Sequence, residues 1–191
     1  MSFSHSFLIR YGHLAVLGLA AQTAHPLYSQ TAPPGVTALS PVTVTGTREK
    51  ALLSETPASI GTIQSDAIRE TSPMHPGQLL GQIPAVSVAV TNGEGHTTAI
   101  RQPFTTSPVY LFLEDGIPIR ATGFFNHNAL YEVNIPMSGG VEVVRGPGTA
   151  LYGSDAIGGI VNILSHAPMA KREFSLSSEA GSFGTWRILG S

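Results

Sequence analysis

Alternation of apolar and polar positions dominates the middle of this chain, and it predicts short strands. Val42 and Val44 alternate with Thr43 and Thr45. Residues 58–64 (ASIGTIQ), 84–90 (PAVSVAV) and 97–102 (TTAIRQ) continue the two-residue period, which marks half-buried strands. Residues 109–113 (VYLFL) are the most β-prone segment, closed by a turn at Glu114-Asp115-Gly116. Residues 141–144 and 157–164 are nearly continuous apolar runs, as in buried strands. Helical signals are brief. Ser65 is placed to cap a short helix over 66–71, with Asp66 in its first turn. Pro76 and Gly77 open a second over 78–83, which Pro84 stops. Residues 91–96 read as a glycine-rich turn, and 121–130, without a period, as a structured loop. The expected fold is α+β: a compact domain over residues 56–168, with a small mixed β-sheet and two or three short helices.

The two ends have a different character. Residues 1–29 read as a signal peptide, with Arg10 as the positive n-region and residues 14–21 as a short apolar core. Cleavage after Ala24 and after Ser29 both remain open, Gln22 at the −3 position favouring the second. Eight to eleven apolar residues fall short of the roughly 20 needed to span a bilayer. Residues 30–55 form a linker, polar and proline-rich at its start, that carries the Val-Thr alternation. That alternation suits an ordinary first strand of the domain, or a strand offered to another protein by edge pairing and mobile until then. In residues 169–191, Phe174, Leu176, Ser178 and Ala180 share one face, and Ser175, Ser177 and Glu179 the other. This is the pattern of an outer-membrane barrel strand, with Trp186 suited to an interfacial girdle.

Composition narrows the function. Charged residues make up 12% of the chain, about half the usual share. The formal charge of −2 and the lack of a basic stripe exclude nucleic acid as the main partner. With no cysteine, disulfides and thiolate metal sites are excluded. No HExxH or GxSxG occurs, and the histidines are scattered, so no enzyme, cofactor or metal site is expected.

Residues 141–164 (VEVVRGPGTALYGSDAIGGIVNIL) hold the densest glycine cluster. A phosphate-binding loop of the GxxxxGK[ST] type needs a lysine, and this stretch has none. The dinucleotide fingerprint GxGxxG fails as well, because Gly146 and Gly148 are followed by Ala150 and Leu151. The glycines are better explained by close packing and positive φ.

That stretch, together with LEDGIPI (residues 113–119), PVTVTGTR (41–48) and TAIRQP (98–103), resembles the N-terminal part of a TonB-dependent outer-membrane receptor. Gln102 stands where the family usually has glycine. The resemblance implies an exported leader, a TonB box at Pro41, Val42, Thr43, Val44 and Thr45, a plug domain, and the start of a barrel whose remainder is missing from this chain. It implies a structural plug signature in Gly146, Pro147, Tyr152, Gly153, Gly158, Gly159 and Asn162. It implies a latch in which Arg101 and Arg145 face barrel-wall carboxylates; local pairing of Arg145 with Glu142 or Asp155 is the alternative. Ligand contact would come from loops at one end, carrying Arg101, Arg120, Phe124, Phe125 and His127, although a paired Phe-Phe also suits a core. Cations beside aromatics fit an anionic iron chelate.

The function so implied is energy-coupled uptake of a scarce nutrient, above all a ferric siderophore, with the periplasmic domain of TonB as partner and the outer membrane as location. The alternative is a transport-inactive exported plug fragment, acting as a periplasmic binding module. One or two barrel strands cannot close, so the tail alone is not expected to be a stable membrane strand.

Overall fold

The computed structural model describes residues 41–168 and 174–190. Its first elements are strands β1 (Val42–Thr43), β2 (Ala51–Leu52) and β3 (Ile60–Gln64), then helices α1 (Ser65–Thr71) and α2 (Gly77–Leu80). Strands β4 (Val86–Asn92), β5 (Gly95–Ile100), β6 (Tyr110–Glu114), β7 (Ile117–Pro118) and β8 (Gly140–Val144) follow. Helix α3 (Thr149–Tyr152), β9 (Gly159–Leu164), β10 (Leu176–Ala180) and β11 (Trp186–Gly190) come last among the described residues.

The two apolar runs that frame the glycine cluster pair with each other, β8 antiparallel to β9. β9 in turn runs parallel to β6, giving a mixed five-stranded sheet in the order β3-β8-β9-β6-β7. Both faces of this sheet are covered, which explains why its central strands are, apart from Glu142 and Asn162, apolar rather than alternating. On one face Ile63, Phe112, Val141, Val143, Val161 and Ile163 pack against Ile68 of α1, Leu79 and Leu80 of α2, and Leu130 and Ile135. On the other, Ile60, Leu111, Leu113, Val144 and Ile160 pack against Leu53, Ala58, Tyr152 and Ala156. That second cover is thinner. It is shared between the N-terminal segment and the α3 turn.

The sequence expectations hold in outline and shift at the edges. Ser65 does not cap α1. It is the first helical residue, after an extended Gln64 that makes no side-chain cap bond, because β3 runs directly into the helix. The second helix is four residues long, since Gly81 and the approach to Pro84 end it early. The turn expected over 91–96 is tighter, with β4 and β5 pairing up to Asn92 and Gly95. Glycine does fill the tight turn after β6, where Asp115 (φ 49°) and Gly116 (φ 81°) both take left-handed backbone.

The tail is a hairpin, β10 pairing antiparallel with β11. Leu176, Ser178 and Ala180 stand opposite Gly190, Ile188 and Trp186, so these six share a face, on which Leu176, Trp186 and Ile188 are exposed. The other face carries Glu179 and Arg187, paired at 2.5 Å. Ser72 Oγ donates to Glu179 at 2.7 Å, and Arg187 donates to the Pro73 carbonyl at 2.6 Å. The described residues contain no closed barrel.

Candidate functional site

Glu142 interrupts an otherwise apolar strand, and it is 3% exposed. Its carboxylate points to the thinly covered sheet face, beside its cross-strand partner Asn162. A buried carboxylate needs donors or a cation. Here the N-terminal segment supplies the donors. Thr43 Oγ1 donates at 2.9 Å, the Val44 amide at 3.2 Å to both oxygens, and the Thr45 amide at 2.8 Å. The Thr45 hydroxyl donates as well. Asn162 then donates to Thr45 Oγ1 at 2.9 Å while accepting from the Gly116 amide at 3.0 Å. Tyr152 Oη donates to the Thr45 carbonyl at 3.1 Å, and the Arg48 guanidinium stacks 4.8 Å from the Tyr152 ring centre. Desolvation pushes the Tyr152 phenol above its ordinary pKa.

Segment 41–45 is therefore not loose. Thr43 and Thr45 are 0% and 1% exposed, β1 pairs with β2, and Val42 points outward, 44% exposed. The expectation of a mobile segment fails because the alternation puts both threonine hydroxyls onto one buried acceptor. Of the glycine-stretch residues, Tyr152 and Asn162 belong to this clasp. Gly146 (φ 150°) and Gly153 (φ 88°) take positive φ. A side chain at Gly159 would meet the Val144 carbonyl at 2.7 Å.

At the β4–β5 turn end, Arg120, Phe124, Phe125 and His127 come together. The Phe124 and Phe125 rings are 6.3 Å apart and edge-on, and Phe125 and His127 are 5.9 Å apart. Phe124 and Phe125 are 51% and 60% exposed, so the pair is surface rather than core. Arg120 lies 5.0 Å from the Phe124 ring centre, but its charge is committed. It forms a two-pronged pair with Glu132, both bonds 2.9 Å, and donates to the Phe125 carbonyl at 2.6 Å.

Arg101 is not with them. It follows β5 at the end away from the turn, has φ 56°, and donates to Ser59 Oγ at 2.9 Å. Arg145 joins it there, its amide on the Ser59 carbonyl at 2.8 Å and its guanidinium on the Pro84 carbonyl at 3.0 Å. The local pairing of Arg145 does not occur. Glu142 is occupied by the N-terminal segment, and Asp155 accepts from the Gly123 amide and Ser154. Among the described residues neither arginine forms an ion pair, and the buried Nε of Arg145 has no acceptor.

The family model described as the TonB-dependent Receptor Plug Domain matches residues 53–160, more than half of the chain. The chain belongs to this plug family. It is 33% identical over 144 residues to the vitamin B12 transporter BtuB of Vibrio vulnificus, covering 74% of this chain and 23% of that protein. The plug also resembles the ferripyoverdine receptor of the outer membrane of Pseudomonas aeruginosa (TM-score 0.60, 20% identity, 78% of this chain and 19% of that one). A third likeness is to the siderophore receptor PiuA of Acinetobacter baumannii (TM-score 0.54, 25% identity, 72% of this chain and 18% of that one). The chain thus spans about a quarter or less of the relatives it matches. These relatives are transporters and receptors, not enzymes.

Two residues of the plug, Glu132 and His96, escaped the sequence reading, and Glu142 entered it only as an alternative partner of Arg145. Glu142 was legible in principle, as one carboxylate inside a VEVV run. Glu132 and His96 gave no such signal, since each acquires its role from a loop brought alongside by the fold.

Proposed function

We propose that this chain is the plug of an outer-membrane receptor that takes up a scarce nutrient, a ferric siderophore or another iron chelate, using force supplied by TonB. The observation that carries the reading is the clasp: an N-terminal Val-Thr strand seated on the sheet through one buried carboxylate, with Val42 facing out. A segment so held is ordered at rest and detachable as a unit, as a pulled coupling segment must be. In this reading residues 1–29 are a signal peptide, 41–45 the TonB box, 56–168 the plug and 169–191 the start of a barrel. The polar Glu179–Arg187 face of the tail hairpin turns toward the plug, and the face bearing Trp186 and Ile188 turns toward lipid. Arg101 and Arg145 serve as the latch, their guanidinium groups, without an ion pair among the described residues, facing carboxylates of the barrel wall. The ligand loops are those of Phe124, Phe125 and His127. Arg120 positions the pair of phenylalanines and contributes little net charge, because Glu132 neutralises it.

Growth on a ferric siderophore as sole iron source, by cells carrying the receptor that contains this plug, is the direct test. A second reading, corrinoid uptake, is favoured by the 33% identity to a vitamin B12 transporter. It predicts instead receptor-dependent growth on vitamin B12 with no effect on iron.

TonB coupling has its own test. Titrating the isotopically labelled chain with the periplasmic domain of TonB should shift the amides of residues 41–48, and Val44→Pro should abolish the effect by removing a donor and restricting φ. Unchanged shifts across that segment would remove the assignment of the box.

A further inference from the structure

His96, the second residue of β5, is 1% exposed and joins the two loops at the turn end. Its amide donates to Asn128 Oδ1 at 2.8 Å, and its carbonyl accepts from the Asn128 amide at 2.9 Å. Its Nε2 lies 3.2 Å from the Leu130 amide, which donates to it. A ring nitrogen that accepts carries no proton, so the proton resides on Nδ1, 3.1 Å from the Glu94 carbonyl. Both ring nitrogens are satisfied only while the imidazole is neutral. Protonation would place an Nε2–H against the Leu130 N–H, two donors in a buried site.

The surroundings reinforce that choice. The His75 and Tyr131 rings stand edge-on at 5.5 and 4.8 Å, and Arg120 and His127 lie on the facing loop. Glu94 contributes its carbonyl, and Glu132 is taken by Arg120. Burial lowers the pKa of His96 below its ordinary value, with the Glu94 carbonyl opposing. A cavity of about 440 Å³ opens beside it, lined in part by Thr91, Phe125 and His127.

We propose that His96 is a pH-sensitive stitch: neutral, it holds the loop of Asn128 and Leu130 against the β4–β5 hairpin; protonated, it releases that loop and reshapes the cavity beside it. The sign follows from the lowered pKa. Stability contributed by the neutral ring is complete above about pH 6.5, the ordinary histidine value, and is lost as pH falls through the folded pKa below it. The device is a property of the fold and does not depend on which ligand the cavity takes.

Amide-exchange NMR of the chain between pH 8 and pH 4.5 tests it, with protection referred to intrinsic exchange at each pH. The Leu130 and Asn128 amides should lose at least about tenfold in protection in step with the His96 ring titration, while Val143 and Val161 in the central sheet stay protected. In His96→Gln a side-chain oxygen can reach the Nε2 position and accept from Leu130 at every pH, so protection should be flat. In His96→Leu it should be low throughout. Constant Leu130 protection in the wild type while His96 titrates would overturn the proposal. So would a Gln variant that keeps the wild-type pH step, which would assign the switch to His75 or His127. If the Leu variant does not fold, the comparison of wild type with Gln still decides.

Discussion

Glu142→Ala is expected to free the N-terminal segment while leaving the central sheet standing. Four donors converge on this carboxylate: two threonine hydroxyls and two consecutive amides. Leaving a buried donor without an acceptor costs about 1–3 kcal/mol, and the lost charge desolvation returns part of that. A net loss of about 3 kcal/mol for the seated segment, or roughly a hundredfold in the opening equilibrium, follows. Exchange of the Val44 and Thr45 amides should accelerate by that factor, with the β8 and β9 amides changing far less. Glu142→Gln should fall between, since it keeps one acceptor oxygen but turns an amide NH₂ toward the Val44 N–H. Unaltered exchange at Val44 and Thr45 in the alanine variant would mean that packing of β1 on β2 holds the segment, and that the clasp is incidental.

Gly159→Val is expected to abolish the fold. A Cβ there would lie 2.7 Å from the Val144 carbonyl oxygen and 2.8 Å from Ile100 Cδ1. The first contact is backbone in the β8–β9 ladder, so relief requires parting the two central strands. Overpacking a tight core costs about 1–3 kcal/mol even where side chains can yield, and here one obstacle cannot. Against a typical stability of about 5–15 kcal/mol, abolishing the fold takes a loss of about 5 kcal/mol or more, which parting the two central strands would bring. Gly123→Ala is the contrast, having φ 80° but nothing within 4 Å, so only backbone strain of about 1–2 kcal/mol applies. Urea unfolding followed by far-UV circular dichroism separates the two. A cooperative Gly159→Val transition at the wild-type midpoint would show that close approach is not what this glycine provides.

Much of this molecule was legible from one dimension. Strand periodicity located β3, β4, β5, β6, β8 and β9 to within two or three residues, because a two-residue repeat and an apolar run are local properties. Phosphate binding failed in the glycine stretch for want of a lysine; in the structure Gly146 and Gly153 take positive φ and Gly159 has no room for a side chain. The tail alternation was local too, and the β10–β11 register puts Trp186 and Ile188 on the face already assigned to Leu176.

What the sequence left undecided was every contact between distant residues. Thr45 and Glu142 are 97 positions apart, and nothing in either neighbourhood names the other. Val-Thr alternation reads the same for a mobile strand as for a seated one; only the carboxylate waiting on the sheet separates the two. Arg101 and Arg120 looked equivalent as charges in loops, yet one ends beside Arg145 and the other is neutralised by Glu132. His96 looked like one polar residue in a turn, and folding made it the buried acceptor for Leu130. Local pattern determines which segments become strands, since backbone sterics and burial act over a few residues. Which polar group meets which depends on how those strands stack, and that is decided only when the chain closes on itself.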